Sequence, residues 1–252
     1  MKKDRLQKSL EIFGLQAVID AVHEGKEFDK IFMEKGLNTG LAMELRTLLK
    51  EHNIMFKAVP VEKLNRLTHK EHQGVFAFVS PVNFYKLGDV LMQTYEDGKS
   101  PIFLMLDRVT DVRNFGAIAR TAESCGVNAI ILPQVGGAQL NSDAIKTSTG
   151  ALMHIPICRE QNLHHSLKYL KKSGLKVIAC TEKTDTNLYD VPFVDPVVIV
   201  MGSEEDGISE DILELADAKT RIPMFGKTES LNVSVASAVI LYEAIRQRQL
   251  EN

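Results

Sequence analysis

Residues 221–245, RIPMFGKTESLNVSVASAVILYEAI, decide how this chain is read. A short apolar strand ending at Ile222-Pro223-Met224 runs into a polar loop, and the loop opens directly into a long helix. Ser230, Asn232, Ser234 and Ser237 stand at the start of that helix, where hydroxyls and amides can take up free backbone N–H groups. A cap needs a single such residue, yet several are present, interleaved with Val233, Val235, Ala236 and Val239. On spacing alone this is a well-capped core helix. The rest of the chain tells against so plain a role.

Upstream, strands and helices alternate. From Pro101 the spacing predicts strands at Ile102–Leu106, Ala129–Leu132, Lys176–Cys180, Val197–Met201 and Thr220–Ile222. Helices fit at 114–125, near 141–148, 161–173 and 209–216, and from 232 to about 248. Such alternation implies an α/β fold with a mostly parallel sheet covered on both faces. Ligands of such sheets gather at the carboxyl ends of the strands. The polar clusters Asp107–Asn114, Thr181–Thr184, Gly202–Gly207 and Pro223–Asn232 each follow an apolar strand, so they can converge on one site.

Residues 11–79 form a separate, smaller α/β pattern: a helix over Phe13–His23, a strand at Phe28–Met33, a helix at Leu41–His52, and strands at Ile54–Val59 and Val75–Val79. Residues 80–100 carry Pro81, Gly88 and Gly98 and read as the connection, with room for one helix. The expected division is 1–80, a linker over 81–100, and 101–252.

Composition narrows the class. At 252 residues, with 44% hydrophobic and 25% charged residues, the chain has length for a sizeable core and no mark of wholesale disorder. No apolar run approaches the roughly 18–20 residues that span a bilayer. The basic start, MKKDRLQKSLEIF, lacks the apolar stretch of a signal peptide, so a cytoplasmic location is expected. Cys125, Cys158 and Cys180 are scattered, which argues against structural zinc or disulfides and fits a reducing compartment. A net charge of −3 does not announce a nucleic-acid partner. Residues 1–80 are slightly basic, 13 Lys/Arg against 11 Asp/Glu, and include Lys63, Arg66, His69, Lys70 and His72. On charge alone that patch is equally a solvated helix end.

Several familiar motifs are absent or fail. No G-x-G-x-x-G follows a strand. Gly226-Lys227-Thr228 imitates the end of a phosphate-binding P-loop, but Arg221 stands where its first glycine is needed. The histidines show no metal-ligand spacing, so no metal is expected, and no G-x-S-x-G elbow is present.

Three segments carry weight together. The first is Asp107-Arg108-Val109-Thr110-Asp111-Val112-Arg113-Asn114-Phe115-Gly116-Ala117-Ile118-Ala119-Arg120-Thr121-Ala122, where a strand meets a charged loop. Asn114 is expected to cap the following helix, with Arg120 in its second turn and arginines beside the helix N-terminus offering a phosphate surface. The second is Val200-Met201-Gly202-Ser203-Glu204-Glu205-Asp206-Gly207-Ile208-Ser209, a strand running into a glycine, then acids, then a turn glycine. The third is the stretch 221–245.

In this order and at these distances the three segments closely resemble the motifs of the SpoU/TrmH family of RNA ribose 2′-O-methyltransferases, over residues 101–248. Residues 11–79, with Phe13-Gly14 and His72-Gln73-Gly74-Val75, resemble that family's ribosomal-protein-L30e-like RNA-binding domain. The two-part layout looks most like the enzymes that methylate a guanosine in bacterial large-subunit (23S) rRNA. The resemblance implies a SPOUT α/β fold with a deep C-terminal trefoil knot, S-adenosylmethionine as cofactor, and a homodimer acting on rRNA, with no membrane or DNA partner. It carries a catalytic set onto Arg120, Asn114, Glu204, Ser230 and Asn232, and cofactor contacts onto Gly202, Ile222, Met224, Leu231 and Thr181. RNA contacts are assigned to Arg113, Arg66, Lys70 and His72. Val112 stands where many relatives have proline, and Gln16 where histidine is frequent. A tRNA guanosine as substrate, and a catalytically silent RNA-binding factor on the same scaffold, are the competing readings.

Overall fold

The computed structural model describes residues 11–251; the first ten residues of the basic N-terminal stretch lie outside the described residues. The chain divides into two compact units, residues 11–83 with 140–142, and residues 84–139 with 143–251.

The smaller unit runs β1 (Glu11–Phe13), α1 (Leu15–His23), β2 (Phe28–Glu34), α2 (Gly40–Glu51), β3 (Lys57–Val59), α3 (Val61–Leu67) and β4 (Val75–Val79). Its sheet has the order β1-β4-β2-β3, with β4 antiparallel to β1 and β2, and β2 parallel to β3. Alternate strand residues face opposite sides. Ile31, Met33, Val75 and Ala77 pack with Val18, Ile19, Leu45 and Leu49 of α1 and α2, while Phe32 and Phe76 pack with Leu64 of α3. Phe13 was expected inside the first helix but belongs to β1. The chain turns at Gly14, whose φ of 92° suits glycine, and α1 begins after it. Since Gly14 has no side chain to cap α1, Gln73 Oε1 accepts from Leu15 N at 3.2 Å instead.

The larger unit opens with α4 (Leu87–Glu96), inside the stretch read as the connection; Leu87 and Leu91 enter this unit's core. There follow β5 (Ile102–Leu106), α5 (Val112–Ser124), β6 (Ala129–Pro133), α6 (Ser142–Thr147), β7 (Ile157–Glu160), α7 (Leu163–Lys172), β8 (Lys176–Cys180), β9 (Val197–Met201), α8 (Glu210–Leu213), β10 (Ala218–Thr220) and α9 (Val233–Glu251). The strands pair in the order β10-β8-β9-β5-β6-β7, and every pairing is parallel. Buried on both faces, β5 and β9 are the continuous apolar runs IFLML and VVIVM. The chain leaves β10 at one edge of the sheet and returns to its middle, where α9 packs on α5.

Some boundaries differ from the expectations. Helix α5 starts at Val112 and is capped by Asp111, whose Oδ1 accepts from Asn114 N at 2.7 Å, so Asn114 is not the cap and Arg120 falls in the third turn. Val112 is the first helical residue, a position that suits proline without requiring it. Strand β10 ends at Thr220 rather than at Ile222, because Arg221 N turns to Thr186 O and the chain leaves the sheet. In α9 the capping role falls to Asn232, whose Oδ1 accepts from Ser234 N at 3.0 Å. Ser230 precedes the helix, and Ser237 Oγ donates to Val233 O within it. Strand β7 has no counterpart among the expected strands, because ICRE is too short and too charged to stand out.

Candidate active site

The carboxyl ends of the central strands of the larger unit build the site. After β9 the chain folds back on itself: Ser203 and Gly207 exchange backbone hydrogen bonds of 3.2 and 3.1 Å. Glycine is needed at 202 because a Cβ there would lie 2.1 Å from the carbonyl carbon of Gly207. This loop projects Glu204.

Glu204 Oε1 accepts from Asn232 Nδ2 at 2.5 Å, from Val233 N at 3.1 Å and from Asn114 Nδ2 at 3.4 Å. Asn232 Nδ2 also donates to Asn114 Oδ1 at 3.1 Å. Side chains 90 and 118 residues apart in sequence are thereby joined. The carboxylate sits over the first N–H groups of α9, where the helix dipole favours negative charge.

Beside this cluster lies a cavity of about 490 Å³. Thr181, Gly202, Ile222, Met224 and Leu231, the residues expected to contact a cofactor, all line it, as do Glu204, Ser230 and Asn232. Sequence reasoning missed Cys180 and Ile240 in the same wall, and it reached Glu182 and Glu229 only as members of the polar clusters after β8 and β10. Cys180 and Glu182 flank Thr181 at the end of β8, a position that marks them in any parallel sheet. Burial pushes the Cys180 thiol up to about 12, so it is a neutral wall and not a thiolate.

Arg120 is not brought into the cluster. It lies on α5, exposed, without a hydrogen bond or ion pair from its guanidinium among the described residues, and it does not line the cavity. Arg113 is likewise exposed in the first turn of α5. In the smaller unit, Lys70 Nζ stands 5.3 Å over the Phe13 ring, and Arg66 is exposed in the last turn of α3. His72 Nδ1 accepts from Gly74 N at 3.0 Å, which leaves the proton on Nε2 to donate to Asn65 Oδ1 at 2.9 Å. Lys70 and His72 border a shallow hollow of about 650 Å³ with Glu34 and Asn65; Arg66 does not. Gln16 is exposed and donates to Asp20 Oδ1. Among the described residues no cluster of His, Cys, Asp and Glu is placed to hold a metal ion, and no helix is long and apolar enough to cross a membrane.

A family model described as the SpoU rRNA Methylase family matches residues 101–242, more than half of the chain. The chain belongs to this family. Residues 12–85 match a second model, described as RNA 2′-O ribose methyltransferase substrate binding. Membership makes the chain a SpoU-type RNA methyltransferase, with the site above in its methylase part. A protein of Bacillus subtilis named as a TrmH family tRNA/rRNA methyltransferase is 32% identical over 94% of this chain and 95% of its own length. An uncharacterized tRNA/rRNA methyltransferase of Synechocystis is 34% identical over 98% of this chain, which spans 65% of that relative's length. The fold is also that of the SpoU methyltransferase AviRb from Streptomyces viridochromogenes, solved in complex with AdoMet. The TM-score is 0.61 at 24% identity, over 96% of this chain and 91% of that one.

Proposed function

We propose that this SpoU family member methylates a ribose 2′-oxygen of RNA, a guanosine of large-subunit rRNA, with S-adenosylmethionine as the methyl source. One observation carries the reading: the Asn114–Glu204–Asn232 cluster stands at the edge of a cavity that all the expected cofactor-contacting residues line.

The cavity fits such a cofactor. Its volume lies in the range of small-molecule sites, roughly 300–1,000 Å³. Ile222, Met224, Leu231 and Ile240 offer apolar surface to an adenine ring. Glu182, Glu204 and Glu229 offer carboxylates to a cationic ligand. Bound there, S-adenosylmethionine supplies an electrophilic methyl group.

The remaining work falls to the protein. Glu204 fixes Asn114 and Asn232 in one orientation, so their amides present a rigid polar edge to the ribose. Ser230, at the cavity wall before α9, shapes that edge. The Arg120 guanidinium stays charged at neutral pH and is free to grip a backbone phosphate of the RNA. Held beside the 2′-hydroxyl, guanidinium and phosphate together would lower the cost of removing its proton, which passes through a phosphate oxygen to water while the methyl moves from the sulfonium, left as a neutral thioether, to the 2′-oxygen. Arg113, two turns earlier on the same helix, adds a second positive charge. Arg66, Lys70 and His72 give the smaller unit its RNA contacts, and affinity there falls with salt. A second copy of the chain completes a homodimer, for which Val235 and Tyr242, exposed on α9, are an apolar contact surface.

The names of the relatives cover both tRNA and rRNA. The presence of the smaller unit favours rRNA, since it supplies a second RNA-holding surface. Mapping ribose 2′-O-methyl groups on rRNA and tRNA from cells with and without this protein tests the proposal. Loss of one rRNA guanosine mark supports it; an unchanged rRNA map overturns the rRNA assignment.

A further inference from the structure

The loop that carries Glu204 is held from outside the Asn114–Glu204–Asn232 cluster by Arg108. Arg108, just past the end of β5, adopts φ of 58°, a left-handed conformation uncommon for a residue with a side chain. This conformation accompanies a side chain that reaches the loop after β9. Its Nη2 donates to Gly207 O at 3.1 Å and its Nη1 to Asp206 Oδ2 at 3.4 Å. Its Nε is buried without a hydrogen-bond partner, with Asp107 Oδ1 at 3.6 Å. Asp107 itself is buried, and its Oδ2 accepts from Ser209 N at 2.7 Å. The two residues that follow β5 therefore grip the far side of the loop at 206, 207 and 209, while Glu204 on its near side grips Asn114 and Asn232.

A positive φ and a buried donor left without a hydrogen bond are both unfavourable, and structures retain such features where a specific geometry is held. A solvated arginine needs neither. We propose that Arg108 is a positioning residue of the methyl-transfer site: it fixes the 203–209 loop and, through the loop, the orientation of Glu204. The proposal rests on the methyl-transfer reading above. It also explains why the fork of a guanidinium is used, because a carbonyl and a carboxylate are engaged at once.

Arg108→Asn tests this without disturbing the backbone, since asparagine tolerates a left-handed φ. Amide hydrogen exchange in 203–209 is expected to rise in Arg108→Asn and to be intermediate in Arg108→Lys. The turnover number is expected to fall about tenfold or more, with KM for RNA changed by less than about twofold, as for an interaction felt in the transition state. In a Glu204→Gln background the same change should cost less than about twofold further, because both residues then act through one element. A loss that multiplies fully onto that of Glu204→Gln, or wild-type exchange in 203–209 of Arg108→Asn, would overturn the proposal. Absence of methyl transfer by the unaltered protein would instead remove the methyl-transfer reading, and Arg108's catalytic consequence with it. The exchange data would still report whether Arg108 holds the loop.

Discussion

Asn232 Nδ2 lies 2.5 Å from Glu204 Oε1 while Asn232 Oδ1 accepts from Ser234 N at 3.0 Å, so one side chain both begins helix α9 and holds the carboxylate. These roles are separable by substitution. Asn232→Ser keeps a capping oxygen and loses the amide donor, so stability should stay near the wild type while turnover falls. Asn232→Ala loses both, and unfolding in urea should show a further loss of about 1 kcal/mol, the usual value of a cap. Equal stability of the two variants would mean that Asn232 does not cap α9 in solution.

Gly202→Ala places a Cβ 2.1 Å from the Gly207 carbonyl carbon, a clash with backbone and not with a movable side chain. The loop must open, moving Glu204 and a wall of the cavity together. Titration calorimetry should show S-adenosylmethionine affinity lowered by about tenfold or more, on the scale of 1.4 kcal/mol per decade.

Asp217, just before β10, exchanges hydrogen bonds with Val177 of β8 through its backbone N–H and its carboxylate. Burial would raise its pKa, but hydrogen bonds from Lys171 Nζ and Val177 N, each 2.8 Å, together with the charges of Lys171 and Lys176, bring it below the ordinary carboxylate value. A carboxyl group depressed in the folded state stabilises the protein above its unfolded pKa and loses that contribution as pH falls through the folded one. The melting temperature of Asp217→Asn should therefore lie below that of the wild type near neutrality, and the gap should close as pH falls from about 4 through the lower pKa of the folded state. A constant difference across the acid range would show that Asp217 is not held this way.

Cys180 lines the cavity with a thiol pushed up to about 12 by burial. It should resist alkylation by iodoacetamide at pH 8, where the nucleophilic thiolate is scarce, and should leave cofactor binding unchanged after such treatment. Mass spectrometry of the treated protein checks this.

Much of the larger unit was legible because its strands are unbroken apolar runs between turn residues. Ile102–Leu106, Lys176–Cys180 and Val197–Met201 lie where periodicity puts them. Ile222 and Met224 misled for the same reason: they are apolar because they line a cavity, not because they belong to a strand. Asn114 looked like a cap, whereas Asp111 takes that part and frees the Asn114 amide for Glu204. The parallel-sheet pattern already brings the segments of Asn114, Glu204 and Asn232 together, but side-chain bonds across 90 or 118 residues leave no periodic trace, so these particular partners stand out only through resemblance to a family. The hold of Arg108 on Gly207 was invisible for a similar reason, since its target is a backbone carbonyl 99 residues away.

The proposed chemistry turns on Arg120, exposed on α5 and apart from the cavity. Transfer of labelled methyl from S-adenosylmethionine to unmodified rRNA, compared between the wild type and Arg120→Ala, tests it most directly, with cofactor affinity measured on the same samples. A 2′-O-methylated guanosine is expected from the wild type, with turnover lost by about a hundredfold or more in the variant and cofactor affinity changed by less than about twofold. Near-normal turnover by Arg120→Ala would contradict it.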